Sequence, residues 1–280
     1  MPDGTPATGQ PSRRDPALRG WPAIFISLCI LPAAAFLLLP WSVEGKSLAV
    51  LHGLCAQQPG HSFYFGDSRL PFDARMTGIY GGFAMTSIFL LARGRWGRGG
   101  LPSLGIAALL GAFVMALGVD GLNSTLLDIG AWHLYTPANE FRLLTGLLTG
   151  VSLAAFVWML VGQVSLQQTW ISVKPVIEGY RDLAAILGVL ALFGALVLTN
   201  WEPARLPLTA LLIVSAVSVL TGLSLAFVLL IGRRENRAAT TLELAAPATV
   251  SLLIAFAVMG FTGGGRFILE AIYGVSTTTT

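Results

Sequence analysis

Charged residues that are suited to chemistry fall at the ends of apolar segments, and two of them suggest an ion pair. Asp120 and Arg142 lie at the ends of consecutive apolar segments, and Asp73 and Arg75 come directly before another. A charge at the rim of a membrane helix faces other helices, water or a lipid headgroup, because lipid penalises it. We therefore expect Asp120 to pair with Arg142. The pair would be a structural clamp that fixes helix register, or part of a polar pocket for a ligand or headgroup.

Small and polar residues continue from Arg142 along one helix face. Thr145, Gly146, Thr149 and Gly150 follow it at the three- and four-residue spacing that places side chains on one stripe. This face starts where the charges lie. The candidate polar site or clamp at the outer rim therefore comprises Asp73, Arg75, Asp120, Arg142 and Thr145.

One loop also contains residue types that bind soft metals. His52, Cys55 and His61 lie close together in sequence. A metal site needs three or four ligands in a defined geometry, and only His133, in a distant loop, is left to complete this set. The three residues are therefore weak candidates for a metal or haem site, with ordinary loop residues as the alternative. Ser62 has no credible arrangement of a base and an orienting group, and no phosphate-binding glycine loop is present.

The composition indicates what positions these residues. The chain has 280 residues, of which 54% are hydrophobic and only 11% charged, and its mean hydropathy is +0.73. Soluble domains carry about 25% charged residues, so lipid must surround most of this chain. We predict an all-α polytopic transmembrane helix bundle. The net charge of +3 resides in short loops, where membrane orientation explains it better than nucleic-acid binding does.

Apolar runs predict about seven spans, and the second and fifth are short enough that six or eight remain alternatives. They lie at 21–41, 77–92, 101–119, 141–163, 182–199, 206–231 and 246–262. Tryptophans bracket the first run, which is longer than the core of a signal peptide, so we interpret it as an uncleaved helix. Residues 1–20 are interpreted as a disordered cytoplasmic tail, and 21–280 as a single membrane domain.

Basic residues predict the orientation in the cell membrane. With the N-terminus cytoplasmic, eleven of the 17 Lys and Arg residues fall in inner segments. We therefore predict a cytoplasmic N-terminus and an outer C-terminus. The loops 42–76 and 120–140 are then outside. Cys29 and Cys55 are interpreted as free thiols, of which only Cys55 is expected to be accessible to reagents from outside.

Small residues at a spacing of four predict close helix packing. The three stripes belong to the second, third and fourth spans, and consist of Gly78 and Gly82, of Ala108, Ala112 and Ala116, and of Gly146, Gly150 and Ala154. Two further segments have local signals. Residues 63–67 predict a hairpin or turn with aromatic side chains at the membrane interface or in a partner-docking surface, and the glycines at 263–265 predict the end of a helix.

Three of these motifs together resemble a known family. They are Cys55-Ala-Gln57, His61-Ser-Phe63 and Asp73-Ala-Arg75-Met76-Thr77-Gly78-Ile79-Tyr80-x-Gly82. They resemble the membrane family called domain of unknown function 2085, which typically reads C-H-Q, R-S-F and C-x-R-C-T-G-I-Y-x-G. Asp120-Gly121 and Arg142-Leu-Leu-Thr-Gly146 are similar to its second half. The resemblance covers roughly residues 50–165, and the C-terminal helices at 182–262 are additional.

Departures from the family pattern remove its soft ligands. The family's histidine is Ala56 here, its arginine is His61, and its paired cysteines are Asp73 and Met76. If the family pattern holds a metal, this chain keeps only Cys55 of that set. The resemblance therefore implies a fold and a membrane location and gives no activity, and cofactors remain unknown.

Two functions from different classes fit these observations. The first is a non-catalytic accessory or scaffold subunit of a membrane complex, which holds other membrane subunits or lipid through its outer loops. The alternative is a membrane-embedded enzyme or carrier with a polar site at the outer membrane face. The lost soft ligands and the scarcity of intramembrane charge favour the first, and the sequence leaves open whether the protein is an enzyme.

Overall fold

The computed structural model describes residues 20–165, 172–233, 235, 238 and 240–274. Apart from Gly20, the tail proposed for residues 1–20 lies outside this range. The described residues form eight α-helices, α1 (Trp21–Leu38), α2 (Val43–Leu51), α3 (Ala74–Ala92), α4 (Leu104–Asp128), α5 (Asn139–Ser165), α6 (Tyr180–Leu198), α7 (Arg205–Ile231) and α8 (Ala245–Tyr273). Four short strands accompany them, β1 (Ser62–Phe65), β2 (Ser68–Asp73), β3 (Arg98–Gly100) and β4 (Ser172–Pro175).

Contacts between helix ends show that the seven long helices alternate in direction. We call one end of the bundle the cap end, made of residues 42–75, 120–142, 199–205 and 262–274. We call the other the basic end, made of residues 93–105, 160–165, 172–182 and 231–245. At the cap end Arg75 bonds Asp120, and His52 bonds Glu270. At the basic end Arg95 bonds Asp182. The start of α1 and the end of α8 therefore lie at opposite ends, as an odd number of crossings requires.

Six of the seven long helices are long and apolar enough to cross a membrane by length and composition. They are α1, α4, α5, α6, α7 (with the turn before it, from Glu202) and α8. The seventh, α3, has 19 residues but a higher share of Gly, Thr and Ser. It packs against α5, α6 and α7, so its less apolar faces meet protein rather than lipid. The protein is a multi-pass membrane protein with an all-α bundle.

The glycine stripes of the second and fourth spans make the closest helix contact. A Cβ added at Gly150 would lie 2.5 Å from the Ile79 carbonyl oxygen and 2.7 Å from the Gly82 Cα. A Cβ at Gly82 would lie 2.5 Å from the Leu147 carbonyl oxygen. The backbones of α3 and α5 therefore touch, as the small-residue spacing predicts.

The prediction that the alanine stripe of the third span packs closely against a neighbouring helix is wrong. Ala108 and Ala112 on α4 are exposed, and α4 instead packs on α5 through Ile106 and Leu110. The hydroxyl of Ser152 on α5 donates to the Leu110 carbonyl at 2.9 Å. Larger apolar side chains and an interhelical hydrogen bond make this contact, so small residues are not needed there.

Two helices continue beyond their predicted ends. α4 runs on to Asp128, so Asp120 lies within the helix rather than at its end. α8 runs through the three glycines to Tyr273 and ends at Gly274, whose φ of 64° forms a left-handed C-cap. The glycines therefore do not end the helix, and the first of them admits a neighbour, because Gly53 of the cap packs against the Gly263 backbone.

The predicted hairpin is present, although two of its three aromatic side chains are buried in the core. β1 and β2 are antiparallel around a turn in which Gly66 has a φ of 63°. Phe63 and Phe65 are only 7% and 1% exposed and belong to the main core, whereas Tyr64 between them is exposed. Alternation along β1 thus buries the face that covers the helix bundle.

The basic end is closed by ion pairs as well as by strands. β3 pairs with β4 in parallel. Arg95, with 1% exposure, donates to the Val176 carbonyl at 2.6 Å and to Asp182 at 2.7 Å. Arg98 pairs with Glu178 at 2.5 Å. Arg95 and Arg98, which are among the basic residues that predict the orientation, therefore also join the α3–α4 connection to the α5–α6 connection.

Candidate functional site at the cap end

Two of the three segments that carry the sequence motifs meet at Asp120, together with the α4–α5 loop. Arg75, in the first turn of α3, approaches the Oδ2 atom of Asp120 at 2.6 Å and also donates to Ser124 on α4. The Tyr135 hydroxyl, in the loop between α4 and α5, donates to the Oδ1 atom of Asp120 at 2.7 Å. Asp120 is 1% exposed, so these two donors compensate a buried charge.

The predicted pair between Asp120 and Arg142 is wrong. Both carboxylate oxygens of Asp120 are occupied by Arg75 and Tyr135. Arg142 instead donates to the Oδ1 atom of Asn139, in the same first turn of α5, at 2.9 Å. Arg75 takes the carboxylate because α4 continues past residue 120 and presents Asp120 and Ser124 together, one turn apart, to the start of α3.

Thr145 and Asp73 have local roles in this layer. The Thr145 hydroxyl bonds back to the Phe141 carbonyl of its own helix at 3.0 Å, so it does not join the Asp120 cluster. Asp73 caps α3, because its Oδ1 atom accepts from the Met76 amide at 2.8 Å. The five candidates therefore divide into an ion pair, a cap, a helix-internal hydroxyl and Arg142.

Cys55 packs against Asp73 beneath the hairpin. The Cys55 thiol lies 3.3 Å from the Asp73 Oδ2 atom, and its sulfur accepts from the Gln57 and Asp73 amides. Burial, and then the negative charge of Asp73, raise the pKa of Cys55 to about 12. The structure thus brings together two positions that are cysteines in the family pattern, and here it forms a protonated thiol beside a carboxylate.

His52 is wholly buried and is held by α8 as well as by its own loop. Its Nδ1 and Nε2 atoms lie 3.0 Å from Gln57 Oε1 and from Glu270 Oε2. Its ring stacks on Phe267 at 4.1 Å between centroids. His52, Cys55 and His61 therefore do not converge, and the described residues contain no group of three or more His, Cys, Asp or Glu side chains placed for a metal ion.

The two ring nitrogens of His52 face side chains from different parts of the chain. The Gln57 Nε2 atom donates to the carbonyls of Leu48 and Pro71, so its Oε1 atom faces His52 as an acceptor. The Glu270 carboxylate lies at the other ring nitrogen. His52 therefore joins its own loop to the end of α8.

Arg266 fastens the end of α8 to the same loop. It donates to the carbonyls of His52 at 2.9 Å and Ala56 at 2.8 Å, contacts the Cys55 carbonyl, and pairs with Glu270 at 2.9 Å. Sequence reasoning missed this clamp, because it ended the last helix at the glycines. The available signal was the four-residue spacing of Arg266 and Glu270, which places both on one helix face.

Cys55 and His52, whose side chains belong to types that can act as a nucleophile or a base, are both enclosed at the cap end. The thiol of Cys55 is protonated and buried, and the His52 imidazole is enclosed by protein partners. A cleft of about 510 Å³ lies elsewhere, between α4, α5 and the basic end. Its walls are apolar, and the hydroxyls of Thr149 and Ser152 within it donate to carbonyls of α4.

Comparison with known proteins supports the sequence motifs. No curated protein and no solved structure matches the chain. The matching family segment spans the hairpin, α3, α4 and most of α5, and it includes Arg75, Asp120, Ser124 and Tyr135 of the Asp120 cluster. Residues 55–156 match the family described as Predicted membrane protein (DUF2085), and the resemblance to that family is thereby confirmed.

Proposed function

We propose that the protein is a non-catalytic accessory or scaffold subunit of a membrane protein complex. In this proposal it resides in the cell membrane with a cytoplasmic N-terminus, so the cap end faces outward. Residues 1–20 form a cytoplasmic tail, and residues 21–280 form one membrane domain. Other membrane subunits and lipid are its partners.

The observation that carries the proposal is the use of buried and half-buried polar groups at the cap. His52, Gln57 and Asp73 each bond to other protein groups that hold the hairpin, α2 or α8 in place. Catalytic groups need a free position within hydrogen-bond reach of a substrate. The cap chemistry therefore supports assembly of a rigid surface better than it supports turnover.

The distribution of charge also supports a scaffold over a carrier. Charged residues of the seven long helices lie in the cap-end or basic-end layers, as shown by the Arg75–Asp120 and Arg95–Asp182 pairs. Carriers commonly place ionisable groups and broken helices near the middle of the membrane. α3, α5 and α7 are continuous through the region between the two layers.

Exposed apolar side chains on the cap offer a way to test the proposal. Trp132 and Leu134, in the α4–α5 loop, are 76% and 61% exposed. Trp96 at the basic end is 52% exposed and is a matched control. We expect the full chain, purified in mild detergent, to bring defined membrane subunits with it.

A variant carrying Trp132→Ser and Leu134→Ser should lose those subunits, and Trp96→Ser should keep them. Mass spectrometry of the co-purifying chains and of bound small molecules measures both outcomes. Purification as a lone chain with a bound small molecule would contradict the scaffold proposal and favour the enzyme or carrier.

A further inference from the structure

Arg142 is a buried cation without a carboxylate partner. Three arginines are buried in the described part of the chain, Arg69, Arg95 and Arg142. Arg69 has Glu44 at 4.0 Å and Arg95 has Asp182 at 2.7 Å. Arg142 is 6% exposed, and no described carboxylate oxygen lies within 4.0 Å of its guanidinium. A buried charge is costly unless it is paired, so an anion bound at this guanidinium would stabilise the folded protein.

The hydrogen bonds of Arg142 leave much of its donor capacity unused. A guanidinium carries five N–H donors in a planar fork. The contact from NH1 to the neutral Asn139 amide occupies one of them and brings no countercharge. Paired oxygens of a phosphate or carboxylate match the remaining fork.

Nearby protein charges do not supply the missing anion. Asp120 is committed to Arg75 and Tyr135, and Asp73 caps α3. Asp128 lies near enough to act on the charge of Arg142, but it is exposed and makes no ion pair within 4.0 Å. The local carboxylates therefore act on Arg142 from a distance, and none of them contacts the guanidinium within 4.0 Å.

Two further nitrogen groups lie in the same neighbourhood. His61, in the short turn before β1, is partly buried. Its pKa is lowered by that burial and by the positive charges of Arg142 and Arg75, so the imidazole is neutral at pH 7 and keeps one N–H donor. The side chain of Arg75 is 25% exposed. The Asn139 amide donates to the Gly60 carbonyl, which ties the His61 turn to the start of α5.

We propose that Arg142, together with His61 and the exposed edge of Arg75, forms a binding site for a phosphate oxyanion. The site lies in the first turn of a membrane helix, at the depth where lipid headgroups are found. Its ligand is therefore the phosphate of a lipid headgroup or free phosphate. Arg142 binds two oxygens through its fork, and His61 donates to a third.

The experiment measures thermal unfolding of the full chain in delipidated detergent and in nanodiscs. Inorganic phosphate is compared with chloride at equal ionic strength, and phosphatidylglycerol is compared with phosphatidylcholine. The variants are Arg142→Gln, Arg142→Lys and Arg93→Gln, the last removing an exposed charge at the basic end. A ligand that binds only the folded state raises the melting temperature.

We expect one of the two phosphate sources to raise the melting temperature of the wild type and of Arg93→Gln, but not of Arg142→Gln. A rise with inorganic phosphate assigns free phosphate. A rise with phosphatidylglycerol alone assigns the headgroup. Arg142→Lys keeps the charge and loses the fork, so half-saturation should need about tenfold more ligand. Without phosphate, Arg142→Gln should melt no lower than the wild type.

Three results would overturn the site. The first is a wild type that responds to neither source. The second is an equal response in Arg142→Gln, or in Arg142→Lys with unchanged half-saturation. The third is an Arg142→Gln chain that melts lower than the wild type in phosphate-free, delipidated detergent, which would show a structural role for the guanidinium.

Discussion

Asp120 is the most enclosed carboxylate at the cap end, and water reaches it less well than it reaches its partner Arg75. Asp120 is 1% exposed, whereas the side chain of Arg75 is 25% exposed. Removing either partner leaves the other charge uncompensated, but water can solvate Arg75 more easily than Asp120. Truncating Arg75 therefore leaves a more poorly solvated charge than truncating Asp120 does.

Truncating Arg75 should destabilise the protein more than truncating Asp120. We expect Arg75→Ala to cost about 3–5 kcal/mol, because it strands a buried carboxylate. The variant with both Arg75→Ala and Asp120→Ala should lose about 1–3 kcal/mol less stability than the two single variants lose in sum. Unfolding in detergent measures both. Arg142→Ala combined with Asp120→Ala is the control and should be closer to additive, and equal coupling in the two cycles would contradict the Arg75 assignment.

Tyr135 gives the same cluster a dependence on high pH. Burial, and then its hydrogen bond to Asp120, raise the pKa of Tyr135 from 10.0 to about 12. The folded state thus holds the phenolic proton more tightly than the unfolded state, and this contribution is complete below pH 10. Stability should fall as pH rises from about 10 to 12, and less so in Tyr135→Phe. Equal slopes for the two proteins in pH-dependent melting would show that Tyr135 does not contribute.

Cys55 should be a slow thiol in the folded protein. It is 5% exposed, and its pKa of about 12 leaves it protonated at neutral pH. This revises the sequence-based expectation that Cys55 would be accessible from outside. In a Cys29→Ser background, thiol labelling should proceed only as the protein unfolds, and Asp73→Asn should accelerate it by removing a nearby negative charge. Rapid labelling of the native chain would mean that the cap opens.

At the scale of elements, the backbone contact between α3 and α5 is the tightest feature of the bundle. Gly150 faces α3, where an added Cβ would meet Gly82 Cα at 2.7 Å. Gly111, on α4, has no neighbour within 4 Å of an added Cβ. The two positions are both membrane-helix glycines, and they differ in whether a neighbouring backbone occupies the space.

Gly150→Leu should therefore destabilise the bundle, and Gly111→Leu should not. We expect a cost of about 1–3 kcal/mol or more at position 150, since the side chain must push apart two backbones. Melting temperatures in detergent compare the two variants directly. A larger loss at position 111 would mean that α5 is rotated relative to the structure.

The elements show which parts of this fold were accessible from sequence. Apolar runs and four-residue glycine spacing are local signals, and they located the spans and the α3–α5 contact. The partner of Asp120 depends on where α4 ends, which local apolarity did not show. The cap clamp depends on Glu270 meeting His52 across 218 residues of sequence. Such pairings depend on tertiary packing, and no periodic pattern in the sequence indicates them.

For the whole molecule, the two ends of the bundle differ in how they present charge. Arg93 and Arg181 are exposed at the basic end, where Arg95 and Arg98 are engaged with acidic partners. Orientation is set by the number of basic residues near the spans, and acidic neighbours contribute little to it. The count of eleven inner basic residues out of 17 therefore continues to predict a cytoplasmic basic end.

This orientation can be tested with single cysteines at exposed positions, because Cys55 is too buried to report it. In a chain with Cys29→Ser and Cys55→Ser, the two test positions are Asp67→Cys, in the exposed hairpin turn, and Arg93→Cys, at the exposed end of α3. An impermeant thiol reagent added to intact cells should label position 67, and it should label position 93 only after lysis. The reverse pattern would invert the orientation.

Reporters at the two termini should register opposite sides, since seven crossings separate them. Reporters on the same side would mean that one helix does not cross, and α3, the least apolar of the seven, would be the helix to remove from the count.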